Sequence, residues 1–160
     1  VGIVLYRVDE RLIHGQVTVG WGGRFHPTRY VVVDDGIRER EWEQELYRLG
    51  TPPEAVAEFA SVEEARARLA EWESSSEITF LLTRSVAGML AIAEGGALQG
   101  REVNLGGVHH SPGRRKVLAY LFLDAAEESA LERLREAGAT VTAQDLPSSS
   151  RIPLVRLLGE

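Results

Sequence analysis

The sequence predicts an α/β fold: a single domain in which a mainly parallel central sheet carries helices on both faces. Valine- and leucine-rich runs bounded by turn residues, such as Tyr30-Val31-Val32-Val33 and Ile78-Thr79-Phe80-Leu81-Leu82-Thr83, have the length and continuous apolarity of strands buried on two faces. Stretches of helical period alternate with them. That alternation brings successive strands into parallel register through crossover helices, which cover the sheet on both sides. With 160 residues, 44% of them hydrophobic, the chain is long enough for one sizeable core and nothing demands a second. Residues 1–160 are therefore read as one domain.

The first strand opens at Gly2-Ile3-Val4-Leu5-Tyr6, and its apolar run stops at Arg7. Residues 16–25 have room for a short helix, with Val17, Val19 and Trp21 as apolar positions and Gly20, Gly22 and Gly23 weakening it. The valine run 29–33 is a second strand that ends in Asp34-Asp35. Residues 37–49 place Trp42, Leu46 and Leu49 at helical spacing among charges, and Gly50, Pro52 and Pro53 close that surface helix. A short strand over 55–60 precedes Ser61, which caps a helix through Trp72. Its apolar face is Val62, Ala65, Leu69 and Trp72, and Glu64 completes a capping-box pattern.

Ser74-Ser75-Ser76 link to the strand 78–83, and residues 86–94 are helical until Gly95-Gly96. Residues 103–108 read as a strand running into a glycine turn, followed by the loop His109-His110-Ser111-Pro112-Gly113-Arg114-Arg115-Lys116. A strand over 117–123, a helix over 127–137 stopped by Gly138 and a final strand over 139–144 follow. The tail 150–158 is a last helical turn or irregular packing. Trp21, Trp42 and Trp72 fit helix faces and read as packing residues.

Composition narrows the function. A net charge of −6 argues against nonspecific nucleic-acid binding. The chain has no cysteine, so disulfides and thiolate metal sites are excluded. No apolar run approaches the roughly 20 residues needed to cross a bilayer, and the sequence does not open on a basic region followed by a cleavable apolar core. The expectation is a soluble, cytoplasmic protein.

Ligands of parallel α/β sheets collect outside the carboxyl ends of the strands. Three loops there carry chemistry: Arg7-Val8-Asp9-Glu10-Arg11-Leu12-Ile13-His14, the pair Asp34-Asp35, and the loop from His109 to Lys116. One mouth is expected to hold all three. Arg11 and Arg7 supply permanent positive charge near His14, and the amides from Gly15 onward can form a helix N-terminus that attracts an oxyanion. Such a site suits a phosphate.

A neutral imidazole nitrogen of His14 can then act as nucleophile toward an activated phosphoryl group, with Arg11 and backbone amides stabilising its equatorial oxygens. Asp9 can orient Arg11, fix the imidazole tautomer, or simply cap the loop. Glu10 reads as solvated, and so does the basic turn Arg114-Arg115-Lys116. Asp34 and Asp35 point different ways and read as loop-ordering or N-cap carboxylates rather than a metal pair. Adjacent His109 and His110 cannot readily share one tetrahedral ion, and no Cys or HExxH pattern supports zinc. Gly106-Gly107 lacks the Walker lysine and any GxGxxG arrangement. Neither a cofactor nor a metal is expected.

The run Arg7-Val8-Asp9-Glu10-Arg11-Leu12-Ile13-His14-Gly15-Gln16-Val17 closely resembles the IIB subunits of the mannose/fructose/sorbose family of the bacterial sugar phosphotransferase system. The likeness continues through Val31-Val32-Val33-Asp34-Asp35, Ser61-Val62-Glu63-Glu64-Ala65, Asn104-Leu105-Gly106-Gly107 and the ending from Gly138 to Pro147. It implies a phosphotransferase component in which His14 accepts a phosphoryl group from a phosphohistidine of a IIA partner and passes it to a sugar held by membrane IIC and IID proteins. Arg11 matches the family arginine near the phosphohistidine, and Asp9 the acid two positions before it. Arg7, Gly15 and Gln16 are expected to bind the phosphoryl group.

The resemblance also implies a peripheral association with the membrane permease and a IIA domain supplied separately. It leaves the sugar open, and leaves open whether the chain forms a homodimer. Where many relatives carry a small apolar pair and another acid after the second strand, this chain has Ile37-Arg38-Glu39-Arg40. The competing class is a regulatory phospho-acceptor without a transport role. A blander one is a binding domain that never reacts.

Overall fold

Successive side chains of a strand point to opposite faces, and here both sets are apolar, so one sheet supports two cores. The computed structural model describes residues 1–159. Its strands are β1 (Gly2–Val8), β2 (Arg29–Val33), β3 (Val56–Ala60), β4 (Ile78–Thr83), β5 (Glu102–Leu105), β6 (Arg115–Leu118), β7 (Leu121–Leu123), β8 (Thr140–Ala143) and β9 (Ile152–Pro153). Seven form one sheet in the order β3-β2-β4-β1-β5-β8-β9, parallel throughout except for β9. Leu5, Tyr30, Val32, Phe80 and Leu82 enter one core; Tyr6, Val8, Val31, Val33 and Leu81 enter the other.

The helices that close these cores are α1 (Gly22–Phe25), α2 (Asp35–Arg38), α3 (Glu41–Leu49), α4 (Val62–Ser74), α5 (Val86–Ala93), α6 (Ala125–Glu136) and α7 (Leu154–Leu157). On one face α4 contributes Ala65, Leu69 and Trp72, α5 Val86, Met89 and Ile92, and α6 Leu131 and Leu134. On the other, Val17 and Trp21 join Leu12, Ile13 and Ile37. Each fully buried aliphatic side chain contributes about 1.5–3 kcal/mol. The predicted α/β architecture, with helices on both faces, is the observed one.

Helix α4 follows its sequence signals closely. Ser61 Oγ accepts from Glu64 N at 3.1 Å, and Glu64 Oε1 accepts from Ser61 N at 2.8 Å, so two amides that the helix leaves without internal partners are satisfied. Helix α6 starts at Ala125, earlier than expected, because Asp124 and Glu127 form a second capping box.

Three features differ from expectation. The single helix over 37–49 is two helices, α2 and α3, broken at Glu39 and Arg40. The side chain of Gln44 turns inward and its Nε2 donates to the carbonyls of Ile37 and Arg38, satisfying the end of α2 in place of a continued helix. The stripe of α3 faces outward: Trp42 is 63% exposed and Leu49 84% exposed, so Trp42 is not a packing residue. Finally, residues 117–123 are not one strand of the main sheet. They belong to the antiparallel hairpin β6–β7, turned at Ala119-Tyr120 without a glycine to signal it. Val108 joins β7 through Val108 N to Tyr120 O and Phe122 N to Val108 O, which fastens the hairpin to the chain leaving β5.

The strands β4, β2 and β3 build outward on one side of β1 and the strands β5, β8 and β9 on the other. The carboxyl end of β1 is therefore the point where strand order switches, and the loop after it sits there.

Candidate functional site at the end of the central strand

Leaving β1, the chain stays pinned to both neighbours: Asp9 N donates to Thr83 O at 2.9 Å and Glu10 N to Gly107 O at 2.8 Å. It then turns sharply at Leu12, whose φ of 56° is in the left-handed region. A leucine there costs on the order of 1–3 kcal/mol, offset because Leu12 and Ile13 are both buried in the core. The turn returns His14 to Asp9. His14 O then accepts from Val17 N and Thr18 N, each at 2.9 Å, which opens a π-helical segment over Gln16–Trp21 that runs into α1. Single π turns are frequent at functional sites.

His14 Nε2 lies 3.1 Å from Asp9 Oδ2. The approach is off the line of a ring N–H, so the two are in close polar contact without an aligned hydrogen bond, and Nε2 has no hydrogen-bond partner of its own. The His14 side chain is 14% exposed while Nε2 is buried, so the accessible part of the ring excludes that nitrogen. Asp9 is fully buried and also accepts from Arg11 N at 3.1 Å and from Arg7 Nε at 3.2 Å. Burial alone pushes its carboxyl up; His14, Arg7 and the Arg11 amide outweigh this and hold it below the ordinary carboxylate value.

Arg7, expected to bind a phosphoryl group, faces inward and is fully buried. Besides Asp9, its guanidinium donates to Asn104 Oδ1, to Gln144 O at 2.9 Å and to Asp145 O at 3.1 Å, and it lies 5.2 Å from the Trp21 ring centroid. Burial pushes its pKa down, with Asp9 opposing. Gly106 packs directly on it: a Cβ there would fall 2.3 Å from Nη2. Arg7 is thus a buried brace under Asp9.

Arg11 is exposed, with Nη2 donating to Gln16 Oε1 at 3.3 Å. The amides of Gly15 and Gln16 precede the first internal bond of the helical segment, and the space in front of the Gly15 Cα is open. Arg11, His14, Gly15 and Gln16 are therefore brought together at the rim.

Asp34 and Asp35 are spent elsewhere. Asp34 caps α2 by accepting from Ile37 N at 2.9 Å, and Asp35 accepts from Val62 N at the start of α4. The loop after β5 does join the site, through a residue expected to be solvated. Glu10 accepts from His109 N at 2.7 Å and from Arg114 Nη1 at 2.8 Å, and Arg114 forks onto Glu127 at 3.0 and 2.7 Å. Neither Glu10 nor Arg114 is a free surface charge. Sequence reading missed Glu10 because its partners His109 and Arg114 lie 99 and 104 positions away; Arg114 had one nearer signal, Glu127 at a capping-box position 13 residues on.

Among the described residues no helix is long and apolar enough to cross a membrane, and no cluster of three or more His, Cys, Asp or Glu is placed to hold a metal ion.

Fold and site together define a parallel α/β domain with a carboxylate-held imidazole at the switch point of its sheet. The sequence profile described as "PTS system sorbose subfamily IIB component" matches residues 3–160, and the chain belongs to this family of sugar-specific phosphotransferase-system IIB components. It is 28% identical over 156 residues to the N-acetylgalactosamine-specific phosphotransferase enzyme IIB component 2 of Escherichia coli K12, covering 98% of each chain. It is 27% identical over 158 residues to the sorbose-specific EIIB component of Klebsiella pneumoniae, covering 99% of this chain and 96% of that protein. The crystal structure of the IIBSor domain of the Klebsiella pneumoniae sorbose permease superposes with a TM-score of 0.88 at 25% identity, over 99% of this chain and 96% of that one. The crystal structure of manxB from Thermoanaerobacter tengcongensis gives 0.86 at 30% identity, over 99% and 95%. Members are phosphotransferase components of sugar uptake that work with IIA and IIC/IID partners and a sugar.

Proposed function

We propose that this chain, acting as one IIB domain over residues 1–160, carries a phosphoryl group on His14 from the phosphohistidine of a IIA protein to a sugar held by a IIC/IID permease. The observation that carries the reading is the approach of Asp9 Oδ2 to His14 Nε2 at 3.1 Å. An anionic carboxylate there keeps the ring proton on Nε2 and leaves the lone pair on Nδ1. Nδ1 is thus the nitrogen that attacks phosphorus as the donor nitrogen leaves, and the partial charge arising on the ring falls beside Asp9.

Arg11 and the amides of Gly15 and Gln16 hold the equatorial oxygens of the transferring group. Open space before Gly15 admits them. Arg7 serves one step removed, by fixing Asp9. In the second half-reaction the Nδ1–P bond breaks toward a sugar hydroxyl and His14 returns neutral, its proton still on Nε2. The relatives are named for N-acetylgalactosamine, sorbose, fructose and mannose, and the acceptor is a sugar of that kind. The working location is the cytoplasmic side of the membrane, against the permease.

The test is incubation with phosphorylated IIA. Wild type takes up an acid-labile, base-stable label and His14→Gln does not. A wild-type chain that stays unlabelled by a competent donor defeats the proposal.

A further inference from the structure

A second imidazole stands at the rim of the site, and nothing in the transfer onto His14 uses it. Glu10 grips His109 twice: its Oε1 accepts from His109 N at 2.7 Å and lies 3.1 Å from His109 Nδ1. Glu10 is itself fixed, since its other oxygen accepts from Arg114, which forks onto Glu127 in the capping box of α6. This chain of contacts, from the helix start to the imidazole, orients a side chain that is otherwise 51% exposed.

The orientation has a direction. A carboxylate at Nδ1 keeps a proton on that nitrogen and leaves the lone pair on Nε2. The position that a side chain on Gly107 would occupy lies 3.5 Å from His109 Nε2 and 3.7 Å from Asp9 Oδ1. Since Gly107 has no side chain, His109 Nε2 and Asp9 Oδ1 border the same gap, about one methyl group wide, over its Cα, and Asp9 is the group whose other oxygen meets His14. The arrangement of a carboxylate, an imidazole and a free Nε2 at the edge of a reacting site is that of an oriented general base.

Transfer onto His14 needs no base, because the attacking nitrogen carries a lone pair. Transfer off His14 does, because the attacking group is a sugar hydroxyl that must lose its proton. We infer that His109 is a catalytic residue of this second half-reaction, its Nε2 taking the proton of the sugar hydroxyl, with Glu10 as the positioning residue that keeps the ring turned to the site. The inference rests on His14 as carrier. In the step the His14 Nδ1–P bond breaks and its electron pair stays on Nδ1. The sugar O–P bond forms, and the hydroxyl proton passes to His109 Nε2. The resulting imidazolium is paired with Glu10, has Arg114 behind that carboxylate and Asp9 across Gly107, and returns its proton to water.

The experiment separates the half-reactions. Wild type, His109→Gln and Glu10→Gln are phosphorylated by phosphorylated IIA, then mixed with membrane vesicles carrying IIC and IID. The acceptor is whichever of N-acetylgalactosamine, sorbose, fructose or mannose the wild type phosphorylates. His109→Gln is expected to take up label at the wild-type rate and to lose about 100-fold in the rate of transfer to sugar. Its transfer rate also loses the rise with pH that deprotonation of a base gives the wild type. Glu10→Gln falls between the two and keeps that rise. Transfer by His109→Gln at the wild-type rate and with the wild-type pH profile overturns the inference, as does equal slowing of both half-reactions. Absence of label on His14 of the wild type instead removes the carrier reading beneath it.

Discussion

Arg7 and Arg11 carry the same charge four positions apart and do different work, because strand geometry ends between them. Arg7 is still in β1, faces inward and is fully buried; Arg11 lies past the strand and is exposed. Removing each should therefore show in a different measurement. Arg11→Ala is expected to slow phosphorylation of His14 by about 100-fold, the scale of losing one donor to a transferring charge. Its thermal unfolding midpoint should match wild type, and an unchanged phosphorylation rate would remove Arg11 from the site. Gly106→Ala should do the reverse: its Cβ would fall 2.3 Å from the Arg7 guanidinium, and relieving that clash costs about 1–3 kcal/mol, readable as a lower urea midpoint. An unchanged midpoint would mean that Arg7 yields to the added methyl group without loss of packing. His14, Arg11 and Asp9 were legible in the sequence because they lie within six positions of one another. The inward turn of Arg7 was not, since the Asn104, Gln144 and Asp145 atoms that take its donors are brought in by other strands. Glu10 was hidden for the same reason: its Arg114 partner is 104 positions away.

Helical periodicity reports that one side of an element is apolar, not which way that side points. In α4 the two agree, and the capping box at Ser61 and Glu64 was readable because all its parts fall within four residues. Ser61→Ala should lower stability by about 1 kcal/mol, measured by denaturant unfolding; no loss would mean the N-terminal amides find other partners. In α3 period and direction disagree. Trp42, Leu46 and Leu49 keep helical spacing yet are exposed, while the polar Gln44 is buried, its amide bonded to the carbonyls that end α2. No local pattern marks a glutamine for that task. The expected consequence is an inversion of the usual rule: Trp42→Ser changes stability by less than about 0.5 kcal/mol, whereas Gln44→Leu removes the donor to Arg38 O, leaves Ile37 O with Arg40 N alone, and costs about 1–3 kcal/mol. Equal losses from the two substitutions would show that α3 packs by its apolar stripe after all.

The parallel sheet as a whole was legible, because buried strands separated by helices leave few other topologies; the β6–β7 hairpin was not, because the apolar run from Val117 to Leu123 continues through its turn with no glycine to interrupt it. What the whole architecture does is place one carboxylate, Asp9, at the centre of the sheet between a fully buried arginine and the His14 imidazole. This ties the site to the stability of the molecule through pH. Burial raises the Asp9 carboxyl, but His14, Arg7 and the Arg11 amide bring it below its ordinary value of 3.8. A carboxyl depressed by folding stabilises the native state above its unfolded pKa, and that contribution is lost as pH falls through the native one. Glu64, drawn down to about 2 by Arg38 and the Ser61 amide, adds to the same acid limb, so the wild-type curve alone does not isolate Asp9. Comparison with Asp9→Asn does. At neutral pH the variant leaves Arg7 buried without its counter-charge and should be less stable by about 3–5 kcal/mol. As pH falls past 3.8 and through the lower native pKa, the wild-type carboxyl takes up a proton and comes to resemble the amide, so the gap between the two proteins should narrow. Unfolding free energies measured from pH 7 down to the acid transition check this; a gap that stays constant would place the charge that matters somewhere other than Asp9.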